Sequence, residues 1–204
     1  MKYSDYKEMP LHERANHLFS VISSERFMTK GGLGNEVPFF ICPFHPKEAP
    51  DMERLRKQLV NKLGQSGFQV LDINLYDLVL QILAQNEDLE WYISQEHTMT
   101  KAELKDELQG ILDVESVLTP AIAERMQAQD FHVMFLSGVG EIFPYIRSHT
   151  ILNNLQSTAK DKPTVMFFPG AYTQSLENGA SLDLFGLLHD DKYYRAFNIY
   201  SYEV

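Results

Sequence analysis

Two glycine turns and one polar run hold most of the chemistry that the side chains of this sequence suggest. Ser137-Gly138-Val139-Gly140 follows the apolar run Phe131–Leu136 and precedes a helical pattern through Ile146 to Leu155. Strand, glycine turn and helix in that order expose backbone N–H groups that can hold an anion. Pro144 stands where dinucleotide-type spacing would end on glycine, and no GK[ST] occurs. Without the lysine that meets terminal phosphates and the hydroxyl that helps hold magnesium, ATP hydrolysis is not expected. The second turn is Phe168-Pro169-Gly170-Ala171-Tyr172, again at the end of an apolar run. The polar run is Arg147-Ser148-His149-Thr150-Ile151-Leu152-Asn153-Asn154-Leu155-Gln156. Arg147 and His149 have the chemistry to grip a carboxylate or phosphate. The other reading has them tie loops to the sheet, with Asn153 and Asn154 satisfying backbone groups, and it is the commoner use of such residues.

Other reactive groups lack the company that catalysis needs. Seven histidines occur, none in H-x-x-x-H spacing beside a helical glutamate, and His12 and His17 are five apart, on different sides of a helix. His189-Asp190-Asp191 reads as an acidic surface turn. No G-x-S-x-G exists, and Ser137 lacks a leading glycine, so a serine nucleophile is not expected. The only cysteine, Cys42, sits in an apolar run and reads as a small core residue. Neither a metal nor a cofactor is expected.

The elements that must position these groups alternate between two periods. The continuous apolar run Val37–Cys42 suits a strand covered on both faces, and further strands are expected at Phe68–Ile73, Phe131–Leu136 and Thr164–Phe168, the last stopping at Pro169-Gly170. The tail Tyr193–Tyr200 reads as an added edge strand. Helical spacing marks an N-terminal helix over about residues 5–28, ended by the glycines of Lys30–Asn35. A helix capped by Asp51 carries Leu55, Leu59, Val60 and Leu63 and stops at Gly64. Asn74 caps a helix carrying Leu75, Leu78, Val79, Ile82 and Leu83, Thr100 and Glu103 form a capping box, and Thr119-Pro120 opens another helix. Strands alternating with helices predict an α/β fold: three layers, with a mainly parallel sheet flanked by helices. No repeat or linker divides the 204 residues, so one domain is expected.

Composition limits the partners. Lys and Arg total 18 against 28 Asp and Glu, a net charge of −10. Phosphate backbones are bound chiefly through lysine and arginine, so direct nucleic-acid binding is not expected and protein partners are. The sequence has no apolar run long enough to span a membrane and no signal-like N-terminus, which predicts a soluble, cytoplasmic protein.

Several segments fall into a familiar order. Gly32-Leu33-Gly34-Asn35-Glu36-Val37-Pro38-Phe39 is followed by Asp72-Ile73-Asn74-Leu75-Tyr76-Asp77-Leu78. Then come Ser137-Gly138-Val139-Gly140, Pro144, Arg147-Ser148-His149 and Asn153-Asn154-Leu155-Gln156. Phe167-Phe168-Pro169-Gly170, Leu184-Phe185-Gly186 and Asp191-Lys192-Tyr193-Tyr194-Arg195-Ala196-Phe197 complete the set. Together, from about Gly31 to Phe197, they resemble the BrxB family of bacterial BREX phage-defence systems. Such systems mark host DNA by adenine methylation and block replication of unmarked phage DNA. The resemblance implies a non-catalytic adaptor working through protein–protein contacts, with the alkaline-phosphatase-like PglZ protein as the first partner to test. It also implies a fold similar to a nucleotide-binding core without a functional phosphate-binding loop, and it supplies no catalytic residues. Partner or ligand contacts are expected among Gly138, Gly140, Arg147, His149, Asn153, Asn154, Pro169, Gly170 and Tyr172. The alternative is a small-ligand or nucleotide-sensing subunit built on the Gly138–Gly140 turn and Arg147.

Overall fold

The fold is taken from a computed structural model describing residues 9–31, 36–86, 88–175, 179–186, 188–192 and 196–202. Five strands form a parallel sheet: β1 (Phe39–Phe44), β2 (Val70–Asn74), β3 (Val133–Ser137), β4 (Thr164–Ser175) and β7 (Phe197–Asn198), in the order β2-β3-β4-β1-β7. β5 (Gly179–Leu184) and β6 (Leu188–Lys192) extend antiparallel from the far half of β4.

Successive strand residues point to opposite faces, and β1 and β3 are covered on both, which is why they are mainly apolar, whereas the edge strand β2 is fully buried only at Leu71 and Ile73 and carries Asp72 between them. Phe40, Cys42, Phe44, Val133, Phe135, Val165 and Phe167 face α1 (Leu11–Ile22), α2 (Glu25–Met28) and α3 (Ala49–Gln65). Phe39, Ile41, Leu71, Ile73, Met134, Leu136, Met166 and Phe168 face α4 (Leu75–Gln85), α7 (Thr119–Ala128) and α8 (Ser148–Leu155). Each fully buried side chain of this size stabilises the fold by about 1.5–3 kcal/mol. The result is the three-layer α/β architecture expected from the alternating periods. Among the described residues no helix is long and apolar enough to cross a membrane. Cys42 is fully buried, with its thiol pushed up to about 12 by burial and its sulfur 3.5 Å from the Tyr200 hydroxyl, a core residue as its neighbours in sequence suggested.

Local signals were accurate where a side chain bonds its own neighbourhood. Asn74 Oδ1 accepts from the N–H groups of Tyr76 and Asp77, and Thr100 and Glu103 close their capping box at the start of α6 (Lys101–Ile111). Several boundaries moved. The single N-terminal helix expected over residues 5–28 is two, because the Ser23 and Ser24 hydroxyls donate to Phe19 and Val21 carbonyls and Ser24 then caps α2. Residues 1–8 and 32–35 lie outside the described residues. α3 begins at Ala49 rather than at an Asp51 cap, since a 3-10 turn (Pro46–Glu48) with its own His45–Glu48 capping box leads into it. It runs past Gly64 to Gln65, and the turn that follows uses Gly67 at φ +88°. α7 does not start afresh at Thr119: a π-helical turn, Val114–Leu118, capped by Asp113, feeds directly into it.

The larger correction concerns β4. Pro169-Gly170 does not end the strand. Up to Pro169, β4 pairs in parallel with β1, and from Gly170 it pairs antiparallel with β5. A side chain at position 170 would put its Cβ 2.2 Å from the Asp183 carbonyl oxygen, so glycine is required for the close backbone approach. The tail adds an edge strand, β7, of two residues only, followed by a 3-10 turn (Ile199–Ser201); Tyr193–Arg195 lie outside the described residues.

Candidate functional site

The chain leaves the carboxyl ends of β1 and β3 towards opposite faces: β1 leads to α3, β3 to α8 on the other side. β4 lies between them and continues into its hairpin. In open α/β sheets such a divergence makes a crevice, the usual place for a ligand. A cavity of about 240 Å³ occupies it here. Phe44, Pro46, Ala49 and Met52 wall one side, Phe167 and Pro169 another, and Ser137 through Glu141 a third.

The glycines of the β3 loop are there for space. Gly138 has φ +77°, and a Cβ on it would lie 2.3 Å from Asn74 Oδ1, the cap of α4. A Cβ on Gly140 would lie 3.0 Å from Pro169 and 3.1 Å from the Phe185 ring. Phe185 comes over the cavity from the turn after β5, at φ +57°, followed by Gly186 at +68°. A left-handed backbone costs a bulky residue about 1 kcal/mol or more, and Phe185 holds it at the rim of the cavity.

Two polar side chains at the cavity are buried and incompletely satisfied. Ser137 is 6% exposed, and its hydroxyl has no hydrogen-bond partner. Arg56 is 4% exposed; its terminal nitrogens bond Asp72 and Glu53, the latter at 3.2 Å, while its Nε has no partner. Partial burial raises the Asp72 carboxyl above its ordinary range, partly offset by Arg56. Glu53 is held low by Lys57 first and by Arg56 beside it. The guanidinium is therefore already shared between two carboxylates. With Glu53 and Glu141 on the lining, the cavity has no spare positive charge for a terminal phosphate among the described residues.

A second cavity of about 550 Å³ adjoins the first, sharing Pro46 and Phe185 and adding His45, Glu48, Gly170, Ala171 and Gly186. Below it, the buried Arg14 bonds both oxygens of Glu48, at 3.0 and 2.5 Å, fastening α1 to the start of α3. Arg14 holds the Glu48 carboxyl below its usual range.

Gly138, Gly140 and Pro169 thus meet at one cavity and Gly170 lines the next, but the polar run goes elsewhere. Arg147 and Asn154 line a separate cavity of about 300 Å³ with Gln109, Asp113, Glu115 and Tyr145. His149 Nε2 is 3.1 Å from Thr150 Oγ1, Asn154 donates to the Thr150 carbonyl at 2.9 Å, and Asn153 accepts from Gln156 at 3.1 Å. Tyr172 is buried and donates to the Ala196 carbonyl at 2.6 Å, tying β4 to the tail. Asn154 thus meets a backbone carbonyl, whereas these contacts of His149 and Asn153 run between side chains of α8 and its C-terminal end. The pairing of Arg147 with the Gly138–Gly140 turn is not made; Arg56 is the guanidinium at that turn. One sequence signal marked it: Met52, Leu55, Arg56, Leu59 and Leu63 share the buried stripe of α3, where a charged residue needs partners. The side chains of His189, Asp190 and Asp191 lie outside the described set, and among the described residues no three His, Cys, Asp or Glu converge as metal ligands.

Comparison with known proteins agrees with the motif order. Residues 71–199 match the family model described as BREX protein BrxB. A Bacillus cereus BREX protein BrxB is 35% identical over 193 residues, covering 93% of this chain and 97% of that one. An Escherichia coli BREX protein BrxB is 27% identical over 191 residues, covering 93% and 91%. No solved structure matches. The chain belongs to the BrxB family and is a component of a BREX phage-defence system.

Proposed function

We propose that the chain serves its BREX system as a non-catalytic adaptor in the cytoplasm, holding other system proteins together, with the PglZ protein as its first partner. One observation carries this reading. Among the described residues, the carboxyl-end cavity has the position of an active site, yet its serine hydroxyl has no base in hydrogen-bond reach and the guanidinium on its lining is tied to two carboxylates. Nucleophilic catalysis needs a base on the hydroxyl, and phosphoryl transfer needs free positive charge on the transferring group. The net charge of −10 points the same way, towards protein partners rather than DNA.

The test is co-expression of a tagged chain with the complete operon. Stoichiometric co-purification of PglZ, with no phosphate released from ATP or GTP by the pure chain, is the expected result. Robust phosphate release that disappears in Ser137→Ala would sink it.

A second reading draws on the unpartnered Ser137 hydroxyl: a small neutral ligand occupies the cavity and the protein senses it. Screening nucleosides, nucleobases and other small neutral metabolites by thermal shift separates the two. A stabilisation that Ser137→Ala removes supports sensing, and no shift across the set ends it.

A further inference from the structure

The region between α4 and α7 packs unlike the rest of the chain. Of α5 (Asp88–Gln95) only Tyr92 is buried, and of α6 no residue is. Tyr92 bridges them through its hydroxyl, which donates to Glu107 at 3.2 Å. Three large apolar residues are exposed among the described residues, and two of them are on α5: Trp91 at 49% and Ile93 at 66%. Successive helix residues are turned by ~100°, so Trp91 and Ile93 flank the inward-facing Tyr92 on either side. The two therefore do not share a face, and Trp91 is the candidate anchor, tryptophan being among the residue types most enriched among binding hot spots.

The charge around them says what binds. From Asp88 to Glu107 there are six carboxylates, Asp88, Glu90, Glu96, Glu103, Asp106 and Glu107, against two lysines, Lys101 and Lys105. The ion pairs among described residues all lie between His12 and Asp72, so these six carboxylates are not neutralised in that way. A second copy of a chain carrying −10 would bring like charge to this surface. We infer that α5 is the docking helix of the adaptor: Trp91 enters an apolar pocket on a partner protein whose rim is rich in lysine and arginine. This rests on the adaptor reading and adds to it a surface and a partner chemistry.

Trp91 is the only tryptophan, so 5-fluorotryptophan labelling gives one fluorine resonance that reports on this site alone. The probes are the other proteins of the same operon, each purified separately and titrated into the labelled chain. The inference expects one of them to shift the resonance. It expects Trp91→Ala to weaken that complex roughly tenfold to hundredfold, and Glu90→Lys with Glu96→Lys to weaken it further as salt is lowered. Lys160→Ala, an exposed change in the turn after α8, should leave it unchanged, and circular dichroism melts check that each variant stays folded. A system protein that binds Trp91→Ala as tightly as the parent, with the resonance unmoved, overturns the docking helix and leaves the adaptor reading standing. No binding by any operon protein overturns both. A dimer in sedimentation that Trp91→Ala dissociates also overturns the inference, since the occupant is then a second copy.

Discussion

The carboxyl-end cavity and the α5–α6 hairpin make opposite uses of their residues. The cavity is assembled from the ends of three strands and the start of α3, and the atoms facing Gly138 and Gly140 would meet an added Cβ at 2.3 and 3.0 Å. The hairpin contributes one buried tyrosine and displays its tryptophan. Substitutions in the first should be read out as lost folding, and those in the second as lost binding with folding intact.

Gly138→Ala should show the largest effect on the cavity side. It strains a left-handed backbone and displaces the Asn74 cap of α4, together about 3 kcal/mol in urea unfolding. A cost under about 1 kcal/mol would mean that the β3 loop is not the rigid wall described. Arg56→Met follows at about 2–3 kcal/mol, because Asp72 loses its counter-charge at a partly buried position. Equal stability would show that the guanidinium only fills space.

Next comes Glu48→Gln, at about 1–2 kcal/mol near neutral pH, since it leaves the buried Arg14 with a weaker acceptor. Arg14 lowers the Glu48 carboxyl from its ordinary 4.5, so the pair's contribution is complete above that value and is lost as pH falls through the depressed one. Melting temperatures of parent and variant should therefore converge in that acidic window and diverge above it. The smallest effects sharpen the contrast. Trp91→Ala should change stability by less than about 0.5 kcal/mol while weakening partner binding. Ser137→Ala should be neutral or stabilising by about 1 kcal/mol, because it removes a buried hydroxyl that has no partner. A marked loss in either would erase the distinction between the two regions.

Much of this was readable along the chain. Both-face burial wrote itself into Phe39–Phe44, Val133–Ser137 and the first half of β4 as unbroken apolar runs, and the Asn74 and Thr100 caps act on N–H groups two or three residues away. The site was legible only in outline. The glycine turn at Gly138 and Gly140 does border the cavity, yet Arg147, nearer in sequence, lines a different one, while Arg56 comes from a helix two strands earlier in the chain.

Sequence by itself determined the periods, the Asn74 and Thr100 caps, the acidic balance and the family, because each depends on residue type and on neighbours a few positions apart. Tertiary structure alone decided that β4 changes partner at Pro169-Gly170, that Arg56 reaches Asp72, and that Phe185 closes over Gly140. Those contacts join segments whose approach is set by sheet order and by which face each crossover takes, and no local pattern encodes that choice.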